Sequence, residues 1–311
     1  MSLGFPIVDC HHHFYDSRRL NYGVFTAPSE GFAAVVGDYA ALPRIYGPED
    51  YARDAAGLNV ACSVWAEFIS DDPLGEVHWA AATIGQANRE TSLIASLDFA
   101  DPALDHLLDA YQEVGSVRCV RQHMGWHPTQ KLLRFTAEPH MMEHAAWRRG
   151  LLSLHARNLI CEIEIFSPQL SEFATMAAEY PDIQFVLPVM GWPIDLSAEG
   201  RLSWKRDLST VGKCPNVALK IFGLECIFGI HWKTAQVRPW ILDAIDIFAP
   251  SRCLFASHMP ICKLACSFEQ LYAIYDEITA TFTQTERRSM FHDNAANLYL
   301  SAKPQNNIHF G

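Results

Sequence analysis

The feature that most limits how this chain can fold is a recurring pair of patterns: a short apolar run, a turn, then a longer stretch with helical spacing. Eight such runs stand at residues 6–9, 60–67, 93–97, 117–121, 159–165, 183–188, 217–221 and 253–257. They are apolar, short and mostly bounded by Gly, Pro, Asp or Asn, as strands are. Between them, Val237, Trp240, Ile241, Ala244, Ile245 and Phe248 make one apolar stripe at helical spacing. Leu170, Phe173, Ala174 and Ala177 repeat it, as do Leu271, Ile274 and Ile278, and further helices are predicted over 49–57, 77–88, 104–113 and 141–157. Strands alternating with helices call for a parallel sheet clothed by helices, and eight units favour closure over an open sheet. The chain is therefore expected to be one α/β domain over 1–311, a (β/α)8 TIM barrel. The long segment 14–48 is expected to loop over its mouth.

The charge balance, 24 basic against 35 acidic residues and a net −11, argues against a nucleic-acid or anionic-membrane partner. Nine cysteines form no C-x-x-C pair and read as buried thiols of a reducing cytosol, not as a disulfide framework or zinc ribbon. No leader pattern opens MSLGFPIVDC, and no apolar run approaches the roughly 18 residues of a membrane span. A soluble, cytoplasmic protein with a small-molecule substrate is expected, with homo-oligomerisation left open.

Barrel enzymes build their sites at the C-terminal ends of the strands. Polar residues fall there on most of the predicted strands: Asp9, His11 and His13 on the first, Glu67 on the second, Arg121 and His123 on the fourth. Glu162 and Glu164 follow on the fifth, Lys220 on the seventh, Ser257 and His258 on the eighth. Of the fourteen histidines, His78, His106, His144 and His155 lie in helical stretches and His309 in the tail, which leaves them no catalytic part. In an extended IVDCHHHF, His11 and His13 point to one side and His12 to the other. Two imidazoles on one face can hold a divalent metal or hydrogen-bond a substrate carbonyl. His258 can accept a proton from water or ligate zinc. Glu162 and Glu164 alternate with Ile163 and Ile165, so the carboxylates share the face toward the barrel interior. Either carboxylate could complete a metal site with His11, His13 and His258, or both could pair with Arg121 and Lys220.

The chain resembles the amidohydrolase superfamily, in the amidohydrolase-related branch that includes 2-pyrone-4,6-dicarboxylate lactonase and sugar-acid lactonases. IVDCHHHF at 7–14 is similar to its opening Asp-x-His-x-His. GPEDYARDAAGLNV at 47–60, VRCVRQ at 117–122, FVLPVMGWP at 185–193, VALKIFGL at 217–224, RCLFASHMP at 252–260 and HDNAANLYL at 292–300 resemble successive later blocks. The resemblance implies a distorted (β/α)8 barrel and hydrolysis at a carbonyl, often of a lactone. It also implies a substrate-carboxylate clamp at Arg121 and a matching lysine at Lys220. Two positions depart from the pattern. Val189 stands where the family has the histidine of Asn-His-x-Gly, and His258 where it usually has the strand-eight aspartate, both a metal ligand and the general base.

The leading expectation is a hydrolase of a small carboxylate-bearing lactone or related cyclic ester. His11 and His13 would polarise the carbonyl, His258 would activate water, and Arg121, Lys220 and Glu67 would bind substrate. One divalent metal, zinc first, or none at all, is compatible with these residues. Two further readings are a metal-dependent non-oxidative decarboxylase and a degenerate, non-catalytic barrel that binds ligands, the latter motivated by Val189 and His258.

Overall fold

The computed structural model describes residues 3–85 and 89–300. Among these, eight parallel strands follow one another around one sheet in chain order: β1 Ile7–His12, β2 Val60–Ala66, β3 Glu90–Ser96, β4 Val117–His123, β5 Ile160–Glu164, β6 Phe185–Leu187, β7 Val217–Ile221 and β8 Cys253–Phe255. All eight predicted strands are present, and the seventh has the predicted bounds. The first runs on through His12, past a register shift after Asp9. The seam between β8 and β1 is closed by the segment following β8. His258 N donates to His11 O at 2.8 Å and His13 N to Met259 O at 2.7 Å. A nearly closed (β/α)8 barrel results, as the alternating pattern requires.

Helices lie between and after the strands, and those that flank the barrel among the described residues include α1 Pro48–Asp54, α2 Pro73–Ile84, α3 Leu104–Val114, α4 Ala145–Ala156, α5 Leu170–Glu179, α6 Ala198–Gly212, α7 Thr234–Phe248 and α8 Phe268–Ile278. Several starts are written locally. Ser267 and Gln270 cap α8 reciprocally, and the Ser197 side chain accepts from Gly200 N at α6. The expected helix over 141–157 is broken at His144, whose ψ of 130° separates a 3₁₀ turn from α4. Of the helix expected over 77–88, residues 86–88 lie outside the described residues, as does His309. Helix α6 was not expected. Its surface is polar, and only Trp204, Leu208 and Val211 carry the apolar stripe, with Trp204 packed on Trp240 at 5.0 Å.

The 14–48 segment does cover the mouth. A two-stranded antiparallel ribbon, Tyr15–Asp16 with Ile45–Tyr46, anchors it, and a helix over Glu30–Val36 lies across the cavity. The opposite end is plugged from the C-terminal turn Ala296–Leu300. Tyr299 O accepts from Ser92 Oγ at 2.7 Å, and its ring lies 5.0 Å from Lys220 Nζ.

Candidate active site

Barrel closure is what assembles the site. The two seam hydrogen bonds set His258 beside His11 and His13, and Asp9 locks the same join. Its carboxylate accepts from Ser257 N at 2.7 Å, Ser257 Oγ at 2.6 Å and Tyr51 Oη at 2.7 Å. Asp9 is thus a seam residue turned toward α1, not a residue of the mouth. Burial raises its pKa, against the pull of those hydrogen bonds.

His11, His13 and His258 each offer a ring nitrogen within 4.8 Å of the other two. Their rings stand 4.9–5.5 Å apart, and Phe222 stacks on His11 at 4.1 Å. Hydrogen bonding fixes which atoms carry lone pairs. His13 Nδ1 lies 3.0 Å from both Ala66 O and Glu67 O, so it donates and leaves Nε2 bare. Arg121 Nη1, which can only donate, stands 3.3 Å from His11 Nε2. That leaves the His11 proton on Nδ1, 3.8 Å from Glu162 Oε1. Burial, then neighbouring cationic groups, pushes His11 and His13 well below the ordinary imidazole range, so both are neutral. His12 points away as expected, buried between Phe14 and Tyr51 at 4.5 and 4.4 Å and held neutral by burial.

The third imidazole has a partner the sequence did not disclose. Glu225, buried in the first turn of a short helix Leu224–Phe228 after β7, accepts from His258 Nδ1 at 2.5 Å. The one available hint is a lone carboxylate within the apolar FGLECIFG, next to the 217–224 block. Gly223, at φ +71°, begins that helix. An added Cβ there would lie 3.2 Å from Val189, so the turn that presents Glu225 needs glycine.

Backbone strain gathers around the same place. Val189, Met190, Trp192 and His258 all hold positive φ, at 54°, 53°, 33° and 61°. A β-branched residue in that region is an outlier, and such strain persists only where packing over-determines it. Trp204 Nε1 holds the loop by donating to Met190 O at 2.9 Å.

Three expected substrate contacts are engaged by the protein itself. Arg121 donates to Glu67 through Nε (2.9 Å) and Nη2 (2.6 Å), with Nη2 also on Glu67 O. Glu67 further accepts from Ile69 N and from His123. Lys220 is fully buried and bonded to Glu162 at 2.5 Å, so it is withdrawn from the cavity altogether. These pairings also answer the question of the carboxylates. Glu162 serves Lys220, and Glu164 serves His123 at 2.6 Å with Arg121 at 3.8 Å, so neither belongs to the group of converging imidazoles. Burial alone would lower His123, yet Glu164 first, then Glu67, raise it to about 9. Above the imidazoles lies a cavity of about 420 Å³, reached by His13 and His258 and walled mainly by aliphatic and aromatic side chains.

The residues present fit a divalent cation: three imidazoles converge, and His11 and His13 are neutral with a lone pair assigned to each. His11 and His13 can hold an ion as a pair, with its other positions left to water and substrate, whereas His258, with Nδ1 on Glu225, has one remaining lone pair for either an ion or a proton. A cation there would compete with Arg121 for the His11 lone pair.

Comparison with known proteins gives a consistent frame. The family model described as Amidohydrolase matches residues 8–300. An uncharacterised protein of Sinorhizobium fredii is 31% identical over 296 residues, covering 94% of this chain and 98% of the relative. L-fucono-1,5-lactonase of Burkholderia multivorans is 23% identical over 314 residues, covering 97% and 98%. An amidohydrolase from Burkholderia multivorans, solved with bound HEPES and in another crystal form with bound zinc, superposes with TM-scores of 0.78 and 0.75. Both structures are 19% identical, over 95% of this chain and 99% of theirs.

Proposed function

The chain belongs to the amidohydrolase family, and from that premise we propose that it hydrolyses a small lactone or related cyclic ester at the barrel mouth. The observation that carries this is His258, held by a buried carboxylate on one nitrogen and bordering the cavity beside two neutral imidazoles. His258 Nε2 takes the proton of the attacking water, while Glu225 fixes the tautomer and stabilises the imidazolium that forms. The acyl carbon–oxygen bond breaks, the ring oxygen receives the proton from His258, and a hydroxy acid leaves.

His11 and His13 would hold a divalent cation, which when bound supplies Lewis-acid polarisation of the carbonyl oxygen, while His258 Nε2 stays free for the proton. The lactonase relative and the zinc-bound neighbour support this branch. So do the neutral, lone-pair-bearing states of His11 and His13, which cannot donate a hydrogen bond to the carbonyl from Nε2. The expected clamp on a substrate carboxylate is not retained, because Arg121 is committed to Glu67. A metal-dependent decarboxylase would have to bring its substrate carboxylate to the cation itself, since Arg121 is engaged by Glu67.

The test is ring opening of a lactone panel, followed by acid release, with wild type and His258→Gln. Loss of at least about 100-fold in kcat supports the assignment. Unchanged turnover in the variant removes His258 as the base. Absence of turnover on every lactone, with ligands still raising Tm, favours a binding barrel.

A further inference from the structure

Resting on the lactone-hydrolase reading, we propose that the substrate is uncharged and apolar, an alkyl-substituted or aryl-fused lactone rather than a sugar-acid or dicarboxylate one. Three separate observations lead there.

The first is charge. Among the described residues lining the cavity, the permanent or partner-stabilised cations are Arg121 and His123, and each is spent. Arg121 donates three hydrogen bonds to Glu67, while His123 bridges Glu67 and Glu164. Two cations against two carboxylates leave the side chains of the lining with no surplus positive charge. A substrate carboxylate would enter beside Glu164 with no protein cation left to pair it, and pairing with an ion on His11 and His13 would take that ion from the carbonyl.

The second is the wall. Phe32 and Val35, from the helix over the mouth, face Phe68, Val189, Trp192 and Phe222 from the ends of the strands. Val189 is the residue that replaces the family histidine, so this departure turns a polar wall position into an apolar one. A polyhydroxylated ring would lose the water partners of its hydroxyls against this wall and find few replacements. An alkyl or aryl group would gain about fourfold in affinity per buried methylene.

The third is size. At about 420 Å³ the cavity exceeds what a bare five- or six-membered lactone fills. It lies within the range of small-molecule pockets, roughly 300–1,000 Å³. Most of the residues around this volume are aliphatic or aromatic, so a hydrocarbon substituent is what it accommodates.

The experiment compares three substrate classes on the full-length protein supplied with zinc: dihydrocoumarin and δ-lactones of increasing alkyl length, a sugar δ-lactone, and 2-pyrone-4,6-dicarboxylate. The apolar class is expected to exceed both others in kcat/KM by about 100-fold or more. Within it, KM should fall about fourfold per added methylene until the cavity fills. Phe32→Asn should raise KM for the long-chain lactones several-fold while kcat is retained. A best rate on the sugar lactone or the dicarboxylate overturns the proposal and leaves the hydrolase reading standing. If no lactone turns over, binding of the corresponding lactams by thermal shift separates the two ideas. Selective stabilisation by alkyl and aryl lactams upholds the apolar pocket while the hydrolase reading falls. Stabilisation by none of them, or only by polar ones, overturns the pocket assignment too.

Discussion

Glu225 and His258, 33 residues apart on neighbouring barrel units, meet through a 2.5 Å hydrogen bond between a buried carboxylate and imidazole Nδ1. A family that usually places an aspartate at the end of strand eight is here represented by a histidine with a carboxylate behind it. On the proposed reading, the exchange keeps a proton acceptor at the cavity and moves the negative charge one layer back.

Glu225→Gln is nearly isosteric, but can only offer His258 Nδ1 a neutral amide. The expected result is a fall of about 10- to 100-fold in kcat with KM little changed. A merely structural Glu225 would lower stability and leave the kcat of the folded variant unchanged.

Metal loading discriminates ligands from bystanders. Protein equilibrated with zinc and freed of excess should carry about one ion per chain, with a higher Tm than chelator-treated protein. Zinc at 100 times its Kd stabilises by about 2.7 kcal/mol. His13→Ala should abolish the shift. Glu162→Gln should leave the stoichiometry unchanged, since Glu162 lies outside the converging group and its bonded oxygen serves Lys220. Failure of Glu162→Gln to take up zinc even at saturating concentration would instead make that carboxylate a ligand.

The barrel was legible because hydrophobic periodicity is local: β7 emerged with its predicted bounds, and His11 and His13 followed from alternation along one strand. His258 was legible through its place after the eighth run. Glu225 was not, because its role depends on Gly223 turning the chain at φ +71° and on the packing of one βα unit against the next. The pairing of Arg121 with Glu67, 54 residues away, was equally hidden. Sequence spacing marks both as polar residues at strand ends and carries no sign that they satisfy each other. Helix α6 was missed for a different reason, since its solvent-facing residues outnumber the three that anchor it.

The His123 network makes stability depend on pH. The folded protein holds His123 at about 9 against an ordinary 6.5, so it binds that proton more tightly than the unfolded chain. The stabilisation is complete below about 6.5 and is lost as pH rises toward 9, on the order of 1 kcal/mol per pH unit. Glu76, raised to about 8 by burial and then by Glu67, adds a loss of the same sign. Urea unfolding at pH 6, 7.5 and 9 should show wild-type stability falling more steeply than that of His123→Gln. Parallel curves would remove His123 as the cause.

Lys220 and Glu162 form an ion pair with no exposure to solvent, and only one carboxylate oxygen is engaged by the lysine. The other, Oε1, has no hydrogen-bond partner among the described residues and stands 3.8 Å from His11 Nδ1, itself unpartnered. Removing one member of such a pair strands a buried charge, so Lys220→Met alone should cost about 3–5 kcal/mol. Replacing both with apolar groups of similar volume, Lys220→Met with Glu162→Leu, should return stability to near wild type. The pair therefore contributes little net stability and calls for another reason to be there. Its placement beneath His11 supplies one: the free carboxylate oxygen favours the His11 tautomer that keeps a lone pair on Nε2, the atom 3.3 Å from Arg121. The double variant should fold, yet bind zinc about 10- to 100-fold more weakly. Equal zinc affinity in the stable double variant would leave the pair a packing element without influence on His11.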